Sequence, residues 1–192
     1  GLLMPRFFIE NPDQCISDGK ILITGEDARH ISRSLRMKIG EKLDVSDFSG
    51  YLYSCEIGAV TESDVSLNIL EKKLCESEPS VKVRIFQALP KGDKLDTVIQ
   101  KAVECGVARI VPFESERCVV RCKADSEDRK TERRRRIAAE AAKQCGRGIL
   151  PEVTPTVDFD TALELAKESE LVLFCYEGDG TEPLGLILQN KL

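Results

Sequence analysis

Arg29, Arg33 and Arg36 stand at i, i+4 and i+7 in a segment patterned as a helix, with no acid between them on that face. A compact cationic ridge of this kind contacts phosphate; the alternative that charge pattern leaves open is a solvated helix face. Arg6 and Lys38 lie near the ridge in sequence, which adds weight to an RNA contact. His30, the only histidine of the chain, falls in the same segment. It has no evident triad partner, so it reads as a surface or capping histidine, or as a further phosphate contact, before it reads as a general base. A second basic run, Lys130 to Arg136, is opposed only by Glu132; between positions 121 and 147 ten Lys/Arg face five Asp/Glu. Four consecutive arginines on a helix point around every side, so only a subset can meet one partner. Phosphate contact, a solvated face and a subunit contact all stay open for that run. Tyr176-Glu177-Gly178-Asp179-Gly180 follows an apolar stretch. Ligands of open α/β sheets bind at strand carboxyl ends, and glycines there allow close backbone approach; a plain acidic turn is the other reading.

Other chemistries lack their residues. No Gly-x-Gly-x-x-Gly occurs, and Leu89-Pro90-Lys91-Gly92-Asp93-Lys94 lacks the Gly-Lys-Ser/Thr core of a phosphate loop, so a dinucleotide-binding or other phosphate-loop enzyme is disfavoured. Eight cysteines form no Cys-x-x-Cys pair, and Cys118 with Cys122 has no second pair, so no metal is expected. Cys55, Cys105, Cys145 and Cys175 sit in apolar patterns and read as reduced core thiols, which suggests the cytoplasm. No apolar run approaches the ~20 residues that span a bilayer. Gly1 to Leu3 lack signal-peptide features, and Met4-Pro5-Arg6 looks like a natural start. The net charge of −5 speaks against a non-specific nucleic-acid coat but allows a local basic patch.

The elements that must position these residues fall into two parts within 192 residues. Up to about residue 75, Leu43 and Val45, then Tyr51, Tyr53, Cys55 and Ile57, then Val65, Leu67 and Ile69 alternate with polar residues. That period predicts half-buried antiparallel strands, as in a small β-barrel. One helix over 26–37 interrupts them, with capping-box spacing at Thr24 and Asp27 and an apolar stripe of Ala28, Ile31 and Leu35. The polar stretch ending at Pro79 marks a boundary, giving domains 4–75 and 80–192. Beyond it, a strand over 81–89, a turn at Pro90 to Asp93, a helix over 93–105 stopped by Gly106 and a strand over 108–113 make a βαβ unit. A long helix over 126–145, stopped by Gly146, has Ile137, Ala138, Ala141, Ala142 and Cys145 on its packing stripe. A further helix spans 158–168, and Leu171 to Cys175 reads as a strand buried on both faces. The second part is α/β with a mostly parallel sheet.

Several stretches carry a family resemblance in order and spacing. They are Met4 to Phe8, His30 with Ser34 to Glu41, Gln87 to Lys94, Gln100 to Val107, Ser115 to Arg117 and Glu140 to Arg147. Together they resemble the ribosomal RNA small subunit methyltransferase E family. The resemblance implies a PUA-like β-barrel domain that grips RNA. It also implies a SPOUT-type α/β knot domain that holds S-adenosyl-L-methionine, and a homodimer. The implied reaction moves a methyl group to N3 of one uridine in small-subunit ribosomal RNA, with positioning of the reactants as the main catalytic task. No catalytic residue is assigned. Arg6, His30, Arg33 and Arg36 are the RNA contacts expected in the first domain. Lys91, Gln144 and Arg147 are carried over by motif to the active-site side of the second. Glu116 and Arg117 fix strand ends or serve the same surface, and Tyr176, Glu177 and Gly178 correspond to the first cofactor-binding loop. The family's Gly-Pro-Glu-Gly-Gly loop and Arg-x-Leu-Arg-x-Glu-Thr-Ala segment do not occur here, so an incomplete SPOUT-type domain that binds the methyl donor poorly is expected. The rival from another class is a non-catalytic RNA-binding protein with a degenerate methyltransferase domain.

Overall fold

The computed structural model describes residues 4–61, 63–116, 118, 124–176 and 178–191. Its first part is one six-stranded sheet in the order β1-β4-β5-β6-β3-β2. The strands are β1 (Arg6–Phe8), β2 (Ile16–Ser17), β3 (Lys20–Thr24), β4 (Lys42–Ser46), β5 (Tyr51–Val60) and β6 (Asp64–Leu74), with a short helix α1 (Pro12–Cys15) before β2. The alternating residues do what their period requires: Leu43, Val45, Tyr53, Cys55, Ile57, Val65 and Leu67 are buried in one cluster. The sheet curls as a half-barrel whose edges are β1 and β2. Its β1–β4 pair is parallel and its other pairs are antiparallel. Burial raises the Cys55 thiol pKa to about 12, with the Asp44 carboxylate adding to the shift.

The helix expected over 26–37 is shorter and irregular. It comprises α2 (Gly25–Arg29) and a π-helical turn over His30–Ser34. The Thr24 side chain makes no capping hydrogen bond. The wide turn accommodates one extra residue, and Arg36 leaves it at φ +53° while the Met37 amide closes on the Ile31 carbonyl at 3.0 Å. Ala28 and Ile31 are buried as expected, but Leu35 is exposed. The arginines at i, i+4 and i+7 therefore do not form one straight helical ridge. All three remain exposed.

The second part is a parallel sheet in the order β10-β8-β7, formed by β7 (Arg84–Ala88), β8 (Arg109–Glu114) and β10 (Val157–Asp158). β9 (Glu152–Val153) pairs with β8 nearer its start, on the edge that β10 continues. Helix α3 (Lys94–Glu104) joins β7 to β8 and buries Leu95, Ile99, Ala102 and Val103. Helix α4 (Ala124–Cys145) packs Ala138, Ala141 and Ala142 into the same core. Gly106 and Gly146 end these helices at φ +92° and +72°, a conformation that a Cβ would strain. Helix α5 (Phe159–Ala166) is capped by the Asp158 carboxylate, which accepts from the Thr161 amide at 2.7 Å; α6 spans Leu184–Lys191.

Three further expectations fail in the structure. The strand of the βαβ unit begins at Arg84, and Val81 and Val83 are exposed, because the polar approach gives them no facing core. Leu171 to Cys175 is not a buried strand. No strand pairs with it among the described residues, and Val172, Leu173 and Phe174 are exposed, Phe174 by 70%. An apolar run becomes a strand only where an edge is offered to it. Of the four cysteines read as core thiols only Cys55 is buried; Cys105, Cys145 and Cys175 are exposed.

The two parts are joined by more than the linker. Phe48, at the β4–β5 turn, and Phe8 stack at 4.9 Å between ring centres, and both are buried in the core formed by α3 and α4. The Gly50 amide donates to the Gly148 carbonyl at 3.0 Å. Glu78, in the linker, takes the Arg147 guanidinium at 2.8 Å and the amides of Gly148 and Ile149 at 2.7 and 3.0 Å. Buried aromatic and ionic contacts therefore hold the curled sheet against the C-terminal end of α4.

Candidate nucleic-acid interface

Strand β1 and the α2 segment from the first part meet the last turns of α4 from the second, and a groove of about 540 Å³ runs between them. It gathers Arg6, His30 and Gln144, three of the residues expected to contact RNA, although they are far apart in sequence. Parallel pairing of β1 with β4 places Arg6 opposite Asp44, and the Arg6 Nη1 donates to the Gly146 carbonyl at 2.9 Å. That carbonyl has no partner within the helix, because the helix ends there. His30 lies at the start of the π-helical turn, its ring tilted toward Phe7 at 6.1 Å. Gln144 is exposed on the last turn of α4. Asp27, Leu35, Glu140 and Lys143 also line the groove, and Lys143 stands 3.8 Å from Glu10. Glu140 and Lys143 belong to the Glu140 to Arg147 stretch that carries the resemblance, but no role follows for them from it. Glu140 shares a helix face with Gln144 at i, i+4, but nothing in the sequence announces that this face docks beside β1.

Arg147 is placed differently from its expected role. It is 5% exposed, and its donors are engaged inside the protein. Nε donates to Glu78 at 2.9 Å, and Nη1 to the carbonyls of Val103 and Val107 at 3.0 and 3.1 Å. It is a structural clamp, not a free RNA contact. Burial pushes the Glu78 carboxyl upward, but the Arg147 guanidinium and the amides of Ile149 and Gly148 outweigh it and hold the group below its usual range.

The basic run of α4 is largely spent on the fold. Arg133 pairs with Asp96 of α3, Arg134 donates to Glu127 at 3.0 Å, and the Arg135 Nε donates to the Val153 carbonyl at 3.1 Å. Arg136 remains exposed. In contrast, Arg33 and Arg36 form no ion pair among the described residues and stand exposed.

Lys91 is exposed in the turn after β7, at the carboxyl edge of the parallel sheet. Cys118 lies at the same edge. Its sulfur accepts from the Ser115 amide at 3.3 Å and lies 3.5 Å from the Leu89 carbonyl. Burial pushes that thiol up, but the hydrogen bonds from Ser115 prevail and leave it below its usual range. Glu116 is exposed at this edge, and Arg117 and Glu177 lie outside the described residues. Tyr176 is 64% exposed, and its ring closes over Gly178, so that an added Cβ there would collide with the ring. A bound cofactor needs most of its surface covered. Tyr176 and Gly178, as arranged, do not form such a cradle.

A curled β half-barrel clamped to a parallel α/β domain, with a groove of cationic, acidic and amide groups between them, makes a two-module protein. The family described as "RNA methyltransferase domain" matches residues 76–191, and that described as "RNA methyltransferase PUA domain" matches residues 23–70. The chain belongs to the RNA methyltransferase family, with a PUA-like first module and a SPOUT-type second one. It is 34% identical over 175 residues to the ribosomal RNA small subunit methyltransferase E of Bacillus subtilis, covering 91% of this chain and 68% of that protein. It is 27% identical to the protein of the same name from Buchnera aphidicola, covering 78% of this chain and 58% of that one. The chain thus spans only part of the length of each relative. Among solved structures, it matches a ribosomal RNA small subunit methyltransferase E from Neisseria gonorrhoeae bound to S-adenosyl methionine. That match has a TM-score of 0.69 at 29% identity, over 84% of this chain and 66% of the other.

Proposed function

We propose that this protein takes part in S-adenosyl-L-methionine-dependent methylation of N3 of a uridine in small-subunit ribosomal RNA. In this reading residues 4–75 grip the RNA, residues 80–192 belong to the transferase module, and the protein works as a homodimer in the cytoplasm. The observation that carries it is the groove joining Arg6 and His30 of one module to Gln144 of the other. The residues expected to contact RNA and a methyltransferase-family helix share one surface there. Arg33 and Arg36 supply charge for phosphate beside it, and Lys91 offers another cation at the carboxyl edge of the sheet.

When bound, the donor supplies an electrophilic methyl group. Since Tyr176 and Gly178 form no cradle as arranged, no step is assigned to residues of that segment. This exposure also favours a second reading, an RNA-binding protein without transfer activity. Incubation with isotopically labelled donor and small ribosomal subunits that lack the modification separates the two. Label recovered as 3-methyluridine supports the transferase; RNA binding with no label supports the second reading.

A further inference from the structure

The groove differs in charge from the surface beside it, and from that difference we propose that it receives one unstacked nucleobase while the arginines on its rim hold the neighbouring phosphates. This rests on the RNA reading above. The groove is lined by the cations Arg6 and Lys143 and by the carboxylates Asp27 and Glu140. Arg6 keeps its charge while it donates once to the neutral Gly146 carbonyl at 2.9 Å, and Lys143 is shared with Glu10 at 3.8 Å. The two cations no more than balance Asp27 and Glu140, so the groove's own lining leaves no net positive charge for a phosphate. A neutral base would not carry that penalty. It would find the Gln144 amide, which both donates and accepts, and carboxylate acceptors for its N–H groups.

The rim has the opposite character. In the sequence Arg29 precedes His30 and Arg36 follows Leu35, and His30 and Leu35 line the groove. Arg29, Arg33 and Arg36 are exposed and form no ion pair among the described residues. Proteins that read single-stranded RNA separate the same tasks: cations position the backbone, while amides, carboxylates and apolar walls take splayed bases.

The test uses the full chain with a fluorescein-labelled single-stranded RNA of small-subunit sequence, and copies with one nucleotide at a time made abasic. Anisotropy titrations at several salt concentrations give affinity and its salt slope. One abasic position is expected to weaken binding roughly tenfold. Gln144→Ala is expected to erase that penalty without changing the salt slope. Arg33→Ala/Arg36→Ala is expected to flatten the slope and keep the penalty. Glu140→Gln separates the alternatives, because a phosphate in the groove predicts tighter binding and a steeper slope. Glu140 and Gln144 are exposed, and circular dichroism verifies that these variants fold. RNA binding that ignores every abasic position, or tighter binding by Glu140→Gln with a steeper slope, overturns the proposal alone. No RNA binding at all overturns the RNA reading beneath it.

Discussion

Replacing Glu78 with alanine removes the acceptor for Arg147 and for the amides of Gly148 and Ile149. The arginine stays buried, with its side chain 5% exposed, and loses its counter-charge. Breaking a buried pair from one side costs about 3–5 kcal/mol, and the partial exposure of Glu78 places this case near ~3 kcal/mol. For a chain of this length each kcal/mol lowers Tm by roughly 2–4 °C, so a fall of about 6–12 °C is expected. Thermal and urea denaturation followed by circular dichroism at neutral pH measure the Tm and the free-energy change. A loss below about 1 kcal/mol would refute the clamp. The same pair sets a pH dependence. The Glu78 carboxyl is depressed in the folded state, so its contribution is complete above its unfolded value of 4.5 and is lost as pH falls through the lower folded value. In Glu78→Gln this acid-side loss should be smaller than in the parent protein.

Three further outcomes follow from the same geometry. Arg33→Ala/Arg36→Ala should reduce the salt slope of RNA binding by as much as about 2, if each side chain holds one phosphate; an unchanged slope removes them from the interface. Phe48→Ala should destabilise the protein by about 3–5 kcal/mol in urea denaturation, since a ring buried in the second core is lost; a change under ~1 kcal/mol would mean that the turn is not anchored there. Iodoacetamide at pH ~8 should label exposed Cys105, Cys145 and Cys175 rapidly in the native protein and leave Cys55, whose thiol is raised to about 12, unlabelled until unfolding; mass mapping of early-labelled Cys55 would contradict its burial.

Local periodicity made much of the fold legible. Tyr53, Cys55 and Ile57 are buried on β5 as their alternation requires, and Gly106 and Gly146 end their helices. Tertiary placement was not legible in this way. Leu171 to Cys175 has the composition of a central strand but finds no partner among the described residues. Arg147 belongs to a motif that suggested RNA contact, yet its fate is decided by Glu78, 69 residues away in sequence. The arginines of α4 likewise could not be sorted by pattern, because Asp96, Glu127 and the Val153 carbonyl reach them only through the fold. The groove is half legible: Arg6, His30 and Gln144 each belong to a motif stretch, while their meeting depends on the docking of β1 against α4.

Nucleoside mass spectrometry of small-subunit ribosomal RNA from cells with and without the gene tests the proposed methylation of a uridine there. Loss of 3-methyluridine without the gene, and its return when the gene is restored, is the predicted result. An unchanged level of 3-methyluridine in cells lacking the gene would rule this methylation out.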